Sequence, residues 1–421
     1  MKPIVFDASF AIQRLGQIPT GIGRVERAWL KYIIGLNSPI YFSVRRNDKV
    51  MILDREASSY LIEILEKNSS DSLNYKSKIF WKLGRKRRAV RTNLAQFAIM
   101  TWHSFEKKQK LSKHFKRLCP QGGWYISTGL HPGEDVFLDT IREAGLRTAV
   151  MLHDTIALDF PQYCEAAMKP HLQGLVKYQA ESGDYLICNS QSTADSFVQH
   201  ALRLNGNPAK TKYIVSHLGL HDTKKVNIGE ISASYASIDK KRPIHVILGT
   251  IEPRKNHSFV VNLWEKLAQE TTPEIMPQLV VLGHWGWKIE DLKNRLENSP
   301  LLGESIHLLI GPNDTTVAQL LADCNALLMP SFAEGYGLPV LEAAREGIPV
   351  IANDLAVYRE IAGDYPHLCS IDDPEGWERL IKLHSEKHKR LQPPPIPQWD
   401  AHFERVMSAL READASGSVR N

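Results

Sequence analysis

The chain has 421 residues, 43% hydrophobic and 24% charged, with a net charge of +5; this is the mix of a globular chain long enough for two or three domains, not of a disordered or fibrous one. No run approaches the ~18 to 20 unbroken apolar residues of a membrane-spanning helix, and the start, MKPIVFDASFAI, is too short and charge-poor for a secretory signal, so a cytoplasmic location is expected. Five cysteines, at 119, 164, 188, 324 and 369, are widely spaced without a C-x-x-C pair, which argues against a disulfide framework or a zinc site and for small core residues.

In chain order, PIVFDAS, PIYFSV, WYISTG, RTAVMLHD and YLICNS read as strands of the first half, with RVERAWLKYII and KPHLQGLVKYQAES as helices. Between them lies a basic window, residues 76–117, with fourteen Lys or Arg against one acid, Glu106, so that the rest of the chain carries a net −8. Its cations are interleaved with Trp81, Phe97, Trp102 and Phe105 among other apolar residues. That composition suits an amphipathic element drawn to an anionic membrane surface, at ~1 kcal/mol per basic residue; a solvated helical face with its apolar side on the core is the competing reading. Nucleic acid is not expected as a partner, because no reader motif is present and the remaining −8 repels a polyanion.

A polar, aperiodic stretch at about 222–243 reads as an interdomain linker. After it, HVILGT, QLVVLG, HLLIG, ALLMP and IPVIAN read as buried parallel strands alternating with the helices FVVNLWEKLAQE, KIEDLKNRLENS, TTVAQLLADC and LPVLEAAREG. RLQPPPIPQWD reads as a stiff, extended connector, and DAHFERVMSALREA as a last helix. The expected domains are 1–225, including the basic segment and completed by helix 398–415, and 226–397.

The strongest chemical signal is PSFAEGYGLPVLEAAREGIPVIAND, residues 330–354. A strand ends at Pro330, a glycine-containing loop follows, and a helix begins near Leu338 with Pro339 in its first turn, where the missing N–H costs nothing. Free N–H groups and the positive end of the helix dipole then make a place for phosphate. Gly335 and Gly337 permit close backbone approach, while Glu334 and Glu342 flank the anion site and suit sugar hydroxyls. A second cluster, GTIEPRKNH, follows the first strand of the same half, so that Arg254 and Lys255 can neutralise a diphosphate.

The order GTIEPRKN, LVVLG, PSFAEGYGLPVLEA, with two glutamates separated by seven residues, resembles the retaining glycosyltransferases of family four. TGIGRVERA, VMLHDTIALDFPQY and ICNSQSTADSF extend the resemblance into the first half, so that it runs from Asp7 to Asp373 apart from the basic segment. It implies an α/β GT-B fold: two Rossmann-like domains with parallel sheets facing across a cleft, and a C-terminal helix crossing back to the N-terminal domain. It also implies a nucleotide-sugar donor, treated as a substrate, with no cofactor. Arg254 and Lys255 would bind the diphosphate and Glu334 the donor sugar. Gly335, Tyr336, Gly337 and Leu338 would present backbone N–H groups, Glu342 would bind the ribose, and His153 would approach the sugar from the other domain. Gly21 and Gly23, in a loop after the first strand, would let the phosphates meet the N-terminal domain, with Arg24 beside them. One departure is that some members carry an arginine shortly before the P-R-K triplet, where this chain has Gly249 and Thr250; the phosphate clamp is either one cation lighter or completed by Arg24. No D-x-D triplet occurs, so no metal is expected, because the cations and the helix dipole can stabilise the leaving group. The segments look most like mannosyltransferase members, which favours GDP-mannose over UDP-glucose or another donor. The expected acceptor is a lipid-linked saccharide, and the expected location is the inner face of the cell membrane. A non-catalytic scaffold of the same fold, a nucleotide-sugar epimerase and a phosphorylase are the rival readings.

Overall fold

Runs of Val, Ile and Leu that have no polar alternation must be buried on both faces, and this requirement builds two sheets. The computed structural model describes residues 2–14, 21–46, 49–70, 90, 92–103, 106–129, 134–220, 235–386 and 390–416. The first sheet comprises β1 (Ile4–Asp7), β2 (Ile40–Arg46), β3 (Lys49–Leu53), β4 (Ala98–His103), β5 (Gly123–Ser127), β6 (Leu146–Leu152), β7 (Tyr185–Cys188) and β8 (Lys212–Val215). Their order is β4-β3-β2-β1-β5-β6-β7-β8. The second comprises β9 (Ile244–Ile251), β10 (Gln278–Trp285), β11 (Ile306–Ile310), β12 (Ala326–Met329), β13 (Val350–Ala352) and β14 (His367–Leu368), in the order β11-β10-β9-β12-β13-β14, parallel throughout.

Both sheets are doubly wound, as the apolar runs require. In the second, the chain leaves β9 towards β10 on one side, and β12 lies on the other. The loops after β9 and β12 therefore diverge, and the crevice between them at the carboxyl ends is where such sheets take ligands. Those loops carry residues 252–256 and 330–337.

Part of the basic window departs from a single amphipathic element. Residues 76–89, 91 and 104–105 lie outside the described residues, but Ala98–His103 pairs antiparallel with β3 and becomes the edge of the first sheet. The β-branched and aromatic residues of AIMTWH satisfy a ladder despite their basic surroundings. The helix Lys108–Leu118 buries Leu111 and Phe115 while Lys107, Lys108, Lys110, Lys113, Lys116 and Arg117 are exposed. Gly21 and Gly23 likewise stand not in a loop but in the first turn of the helix Gly21–Ile34. Of the polar stretch read as a linker, 221–234 lies outside the described residues, whereas Tyr235 and Ile238 are buried in the core.

The chain passes between the sheets twice, at 216–220 and at 390–398. The helix Trp399–Ala415 then lies on the N-terminal sheet's domain: Phe403 stacks on Tyr32 at 4.1 Å, Trp124 Nε1 donates to Asp414 at 3.1 Å and Arg147 donates to the Ala413 carbonyl at 2.9 Å. The two crossings touch at Gly219, where any Cβ would collide with the backbone and ring of Trp399, so a glycine is what lets the connections pack.

Candidate active site

The site is built where β9 and β12 end. After β9 the chain runs through Glu252 into the turn Pro253–Lys255, and Asn256 takes a left-handed φ of 55° before the helix His257–Glu270 begins. This turn aims Arg254 and Lys255 at the loop after β12, and the Phe332 N–H bonds the Arg254 carbonyl at 2.9 Å to lock the loops together. Glu334 sits between both cations. Arg254 Nη1 donates to its Oε2 at 2.9 Å, Lys255 Nζ donates to Oε1, and Ser331 Oγ donates to Oε1 at 2.7 Å. On its other edge Arg254 donates to Glu252 through Nε at 3.0 Å and Nη2 at 2.6 Å, and Nη1 also reaches the Ala333 carbonyl at 2.7 Å.

Burial works against the charge on Glu334, but Lys255 and then Arg254 outweigh it and hold the carboxyl down at about 2. Burial pulls Lys255 below its ordinary range, partly opposed by Glu334. Burial likewise raises Glu252, while Arg254 restrains it. Glu334 is therefore an ionised carboxylate fixed by two cations, and Lys255 keeps further N–H donors, since an ammonium has three.

Of the two positions ahead of the P-R-K triplet, 249 has a backbone that suits glycine. Gly249 has φ 141°, and the Lys255 side chain lies over it, with Cε 3.5 Å from where a Cβ would be. A side chain at 249 would strain the backbone, while its Cβ would rest in ordinary contact with the lysine.

The loop after β12 runs Gly335, Tyr336, Gly337 into the helix Leu338–Arg345, with Pro339 in its first turn. Gly337 has φ 102°, and a Cβ there would lie 2.7 Å from the Tyr358 ring; Gly335 faces the other domain, where a Cβ would stand 2.6 Å from the His153 carbonyl oxygen. Both glycines are thus demanded by space. Tyr336 spans the domains by donating to the Leu218 carbonyl at 2.9 Å.

From the opposite side β6 delivers His153. Its Nε2 lies 2.7 Å from the Thr128 carbonyl, and the ring is buried, which lowers its pKa and keeps it neutral. With Nε2–H donating to that carbonyl, Nδ1 remains an acceptor. Arg24, on the first turns of Gly21–Ile34, meets Glu342 at 2.8 Å across the cleft, and Gly21 leaves 3.8 Å between its would-be Cβ and Leu338. The fold thus brings Gly21, Arg24, His153, Arg254, Lys255, Glu334, Gly335 to Leu338 and Glu342 together on the facing edges of the two sheets.

Some participants are not evident in the sequence. Glu252 lies inside the quoted GTIEPRKN segment, yet only the fold shows that it grips Arg254. Glu360 accepts the N–H groups of Gln191 at 2.6 Å and Ser192 at 3.1 Å, and His217 Nε2 at 2.8 Å, so the second domain caps a helix of the first. Trp287 Nε1 and Lys288 Nζ each reach carbonyls at Tyr163 and Gln162 at 3.0 Å. No local pattern announces these bridges.

Residues 231–392 match the family described as glycosyl transferases group 1. The serotype-specific mannosyltransferase WbdA of Escherichia coli is 28% identical over 271 residues, 61% of this chain and 32% of that protein. The O-antigen chain mannosyltransferase RfbU of Salmonella typhimurium is 25% identical over 207 residues, 45% of this chain and 56% of that one. The alignment thus takes in about a third of the length of WbdA. Among solved structures, HepE of Anabaena in complex with UDP has a TM-score of 0.59 at 16% identity over 100% of both chains. The lipopolysaccharide outer core galactosyltransferase WaaB in its apo form has a TM-score of 0.56 at 16% identity, over 98% of this chain and 100% of that one.

Proposed function

We propose that this chain, which has the GT-B fold and carries a group 1 glycosyl transferases domain at residues 231–392, transfers a hexose from a nucleotide-sugar to a saccharide acceptor in surface polysaccharide synthesis. The observation that carries the reading is Glu334 held between Arg254 and Lys255, beside the start of the helix Leu338–Arg345 and opposite His153. A sugar bound there can donate hydroxyl protons to a carboxylate that stays ionised and to His153 Nδ1, and its diphosphate lies within reach of two cations and a helix N-terminus. Arg24 and Glu342 part as the ribose takes Glu342, which leaves Arg24 for the phosphates.

As the bond from the anomeric carbon to the phosphate oxygen breaks, negative charge grows on the diphosphate, and the preorganised donors stabilise it. The acceptor oxygen bonds to the same face of the anomeric carbon, its proton passes to the departing phosphate oxygen, and the nucleoside diphosphate leaves. Configuration is retained, and neither a protein nucleophile nor a metal takes part. GDP-mannose is the first donor, in keeping with the mannosyltransferase relatives, and a UDP-sugar is the alternative. The acceptor is lipid-linked, and the exposed cations of Lys108–Leu118 hold the protein to the anionic inner face of the membrane. Flotation with vesicles containing phosphatidylglycerol, lost on changing Lys108, Lys110, Lys113 and Lys116 to Glu, tests that contact; equal binding to zwitterionic vesicles refutes it.

The donor test is calorimetry with a panel of nucleoside diphosphates and their sugars. One nucleotide should bind to the wild type and bind at least tenfold more weakly to Glu342→Ala and Lys255→Ala. Turnover should survive chelation with EDTA. No binding by any nucleotide to folded protein would refute the transferase reading.

A further inference from the structure

The first N–H groups of a helix have no acceptor within the helix itself. At the start of the helix Gln191–Arg203, in the first domain, Ser190 Oγ accepts the Thr193 N–H at 3.0 Å. The Gln191 and Ser192 N–H groups go instead to the Glu360 carboxylate, at 2.6 and 3.1 Å, on the helix Ala356–Ala362 of the second domain. A helix of one domain is thus completed by a residue of the other. Glu360 is itself fixed, because His217 on the crossing at 216–220 meets it at 2.8 Å. Burial raises its pKa, but the bonds from His217, Gln191 and Ser192 outweigh that and lower it, so the carboxylate is charged. A negative charge is favoured at the positive end of a helix.

The same turn supports His153. Asn189 Nδ2 donates to the His153 carbonyl at 2.9 Å. The Thr193 hydroxyl donates to Asn189 Oδ1 at 3.0 Å and lies 3.4 Å from that carbonyl. Thr193 Oγ1 is also 3.4 Å from the Gly335 carbonyl, in the loop after β12. Asn189, Ser190 and Thr193 are all buried, so water cannot replace these bonds at low cost if the turn shifts. His153 and Gly335, which face each other across the cleft, therefore share one support.

We propose that Glu360 is a positioning residue for the transfer: it holds the first turn of Gln191–Arg203, and through Asn189 and Thr193 that turn sets His153 against Gly335. The assignment rests on the transferase reading for the reaction it serves.

The test uses the full chain and Glu360→Gln, which keeps the side-chain shape and removes the charge. Its first measurement is amide hydrogen exchange resolved to single residues by mass spectrometry, with no nucleotide present. The Gln191 and Ser192 amides should exchange about tenfold faster in the variant, and the Thr193 amide, which bonds Ser190 and not Glu360, should follow by about threefold. An unchanged Thr193 rate means that the turn stands without Glu360 and overturns the proposal. The second measurement is a double-mutant cycle on transfer of the sugar to water, which needs no acceptor, from the nucleotide-sugar selected by the panel above. Glu360→Gln should lower kcat about tenfold or more. Nucleotide affinity should stay within about threefold, because Arg254, Lys255, Glu334 and Glu342 all belong to the second domain. In a His153→Ala background the same change should cost less than about twofold, since the support then has no ring to place. Effects that multiply would mean that Glu360 acts without His153 and overturn the proposal, as would wild-type kcat in Glu360→Gln; both leave the transferase reading standing. Faster exchange at Thr193 in a protein that binds no nucleotide keeps the support of the turn and overturns its role in transfer.

Discussion

Glu334 and Glu26 are both buried glutamates on the facing edges of the two domains, and their surroundings drive them to opposite states. Glu334 has two cations within bonding distance and stays ionised. Glu26 is fully buried on the helix Gly21–Ile34, and its two oxygens have no hydrogen-bond partner among the described residues. Burial raises it well above the usual carboxylate range, Asp7 adds to the rise, and the backbone N–H groups of Ala11 and Phe10 oppose it. The nearby arginine is already taken, since Arg45 donates to Asp7 through Nε at 2.9 Å and Nη2 at 2.6 Å. Burial beside a second carboxylate therefore favours the neutral carboxyl, and cations at bonding distance keep the other charged.

The largest effect is expected from breaking the charged case. Glu334→Gln leaves Lys255 and one edge of Arg254 without their counter-charge, so stability should fall by about 3 to 5 kcal/mol and kcat by about 10²- to 10³-fold. The carboxyl is depressed in the folded state, so its contribution is complete above the unfolded value of 4.5 and disappears as pH falls towards about 2. Denaturant midpoints of the wild type measured between pH 6 and 3 should show that acid limb, and the variant should lack its share of it. A double change, Lys255→Met with Glu334→Leu, should recover much of the stability and none of the activity. Recovered turnover in the double variant would show that the pair is structural only.

The second-domain side of the comparison was legible because its residues are contiguous in sequence. GTIEPRKN and PSFAEGYGLP each form one turn at a strand end, so spacing alone puts cations, glycines and a carboxylate at one sheet edge. The apolar runs of β9 to β13 were readable for the same reason: burial on both faces leaves no other pattern. The first domain was less legible. β3 and β4 form an antiparallel edge, and β4 lies inside a stretch whose charge hides its strand character. The bridges across the cleft join residues 318 positions apart for Arg24 and Glu342 and 169 for Gln191 and Glu360. No local pattern encodes such a separation, which is fixed only when two domains are laid against each other.

A smaller effect should come from the closest approach between the compared edges. Gly335→Ala places a methyl 2.6 Å from the His153 carbonyl and 2.8 Å from Asp154 Cβ, so the domains cannot close to their present separation. The added methyl meets His153 and Asp154 and no core side chain, so the unfolding midpoint should move by only a few degrees, while kcat/KM falls about 10- to 100-fold through misplacement of donor against acceptor. Small-angle scattering with nucleotide bound should show a wider cleft than in the wild type. Wild-type kcat/KM in the alanine variant would mean that the cleft works in a more open form.

The smallest effect is expected at Glu26, and it is the sharper test because its sign is opposite. A carboxyl that is neutral when folded and ionises near 4.5 when unfolded favours the folded state least at high pH; stability is lost as pH rises above 4.5 towards the raised folded value. Glu26→Gln has nearly the same shape and cannot ionise, so it should change stability at pH 4 by no more than about 1 kcal/mol. At pH 8 it should equal or exceed the wild type, whereas Glu334→Gln loses at both. If Glu26→Gln instead destabilised the chain at pH 8 as strongly as Glu334→Gln does, Glu26 would have to be ionised and paired, and the contrast between the two edges would reduce to one of position in the cleft, with no difference in charge.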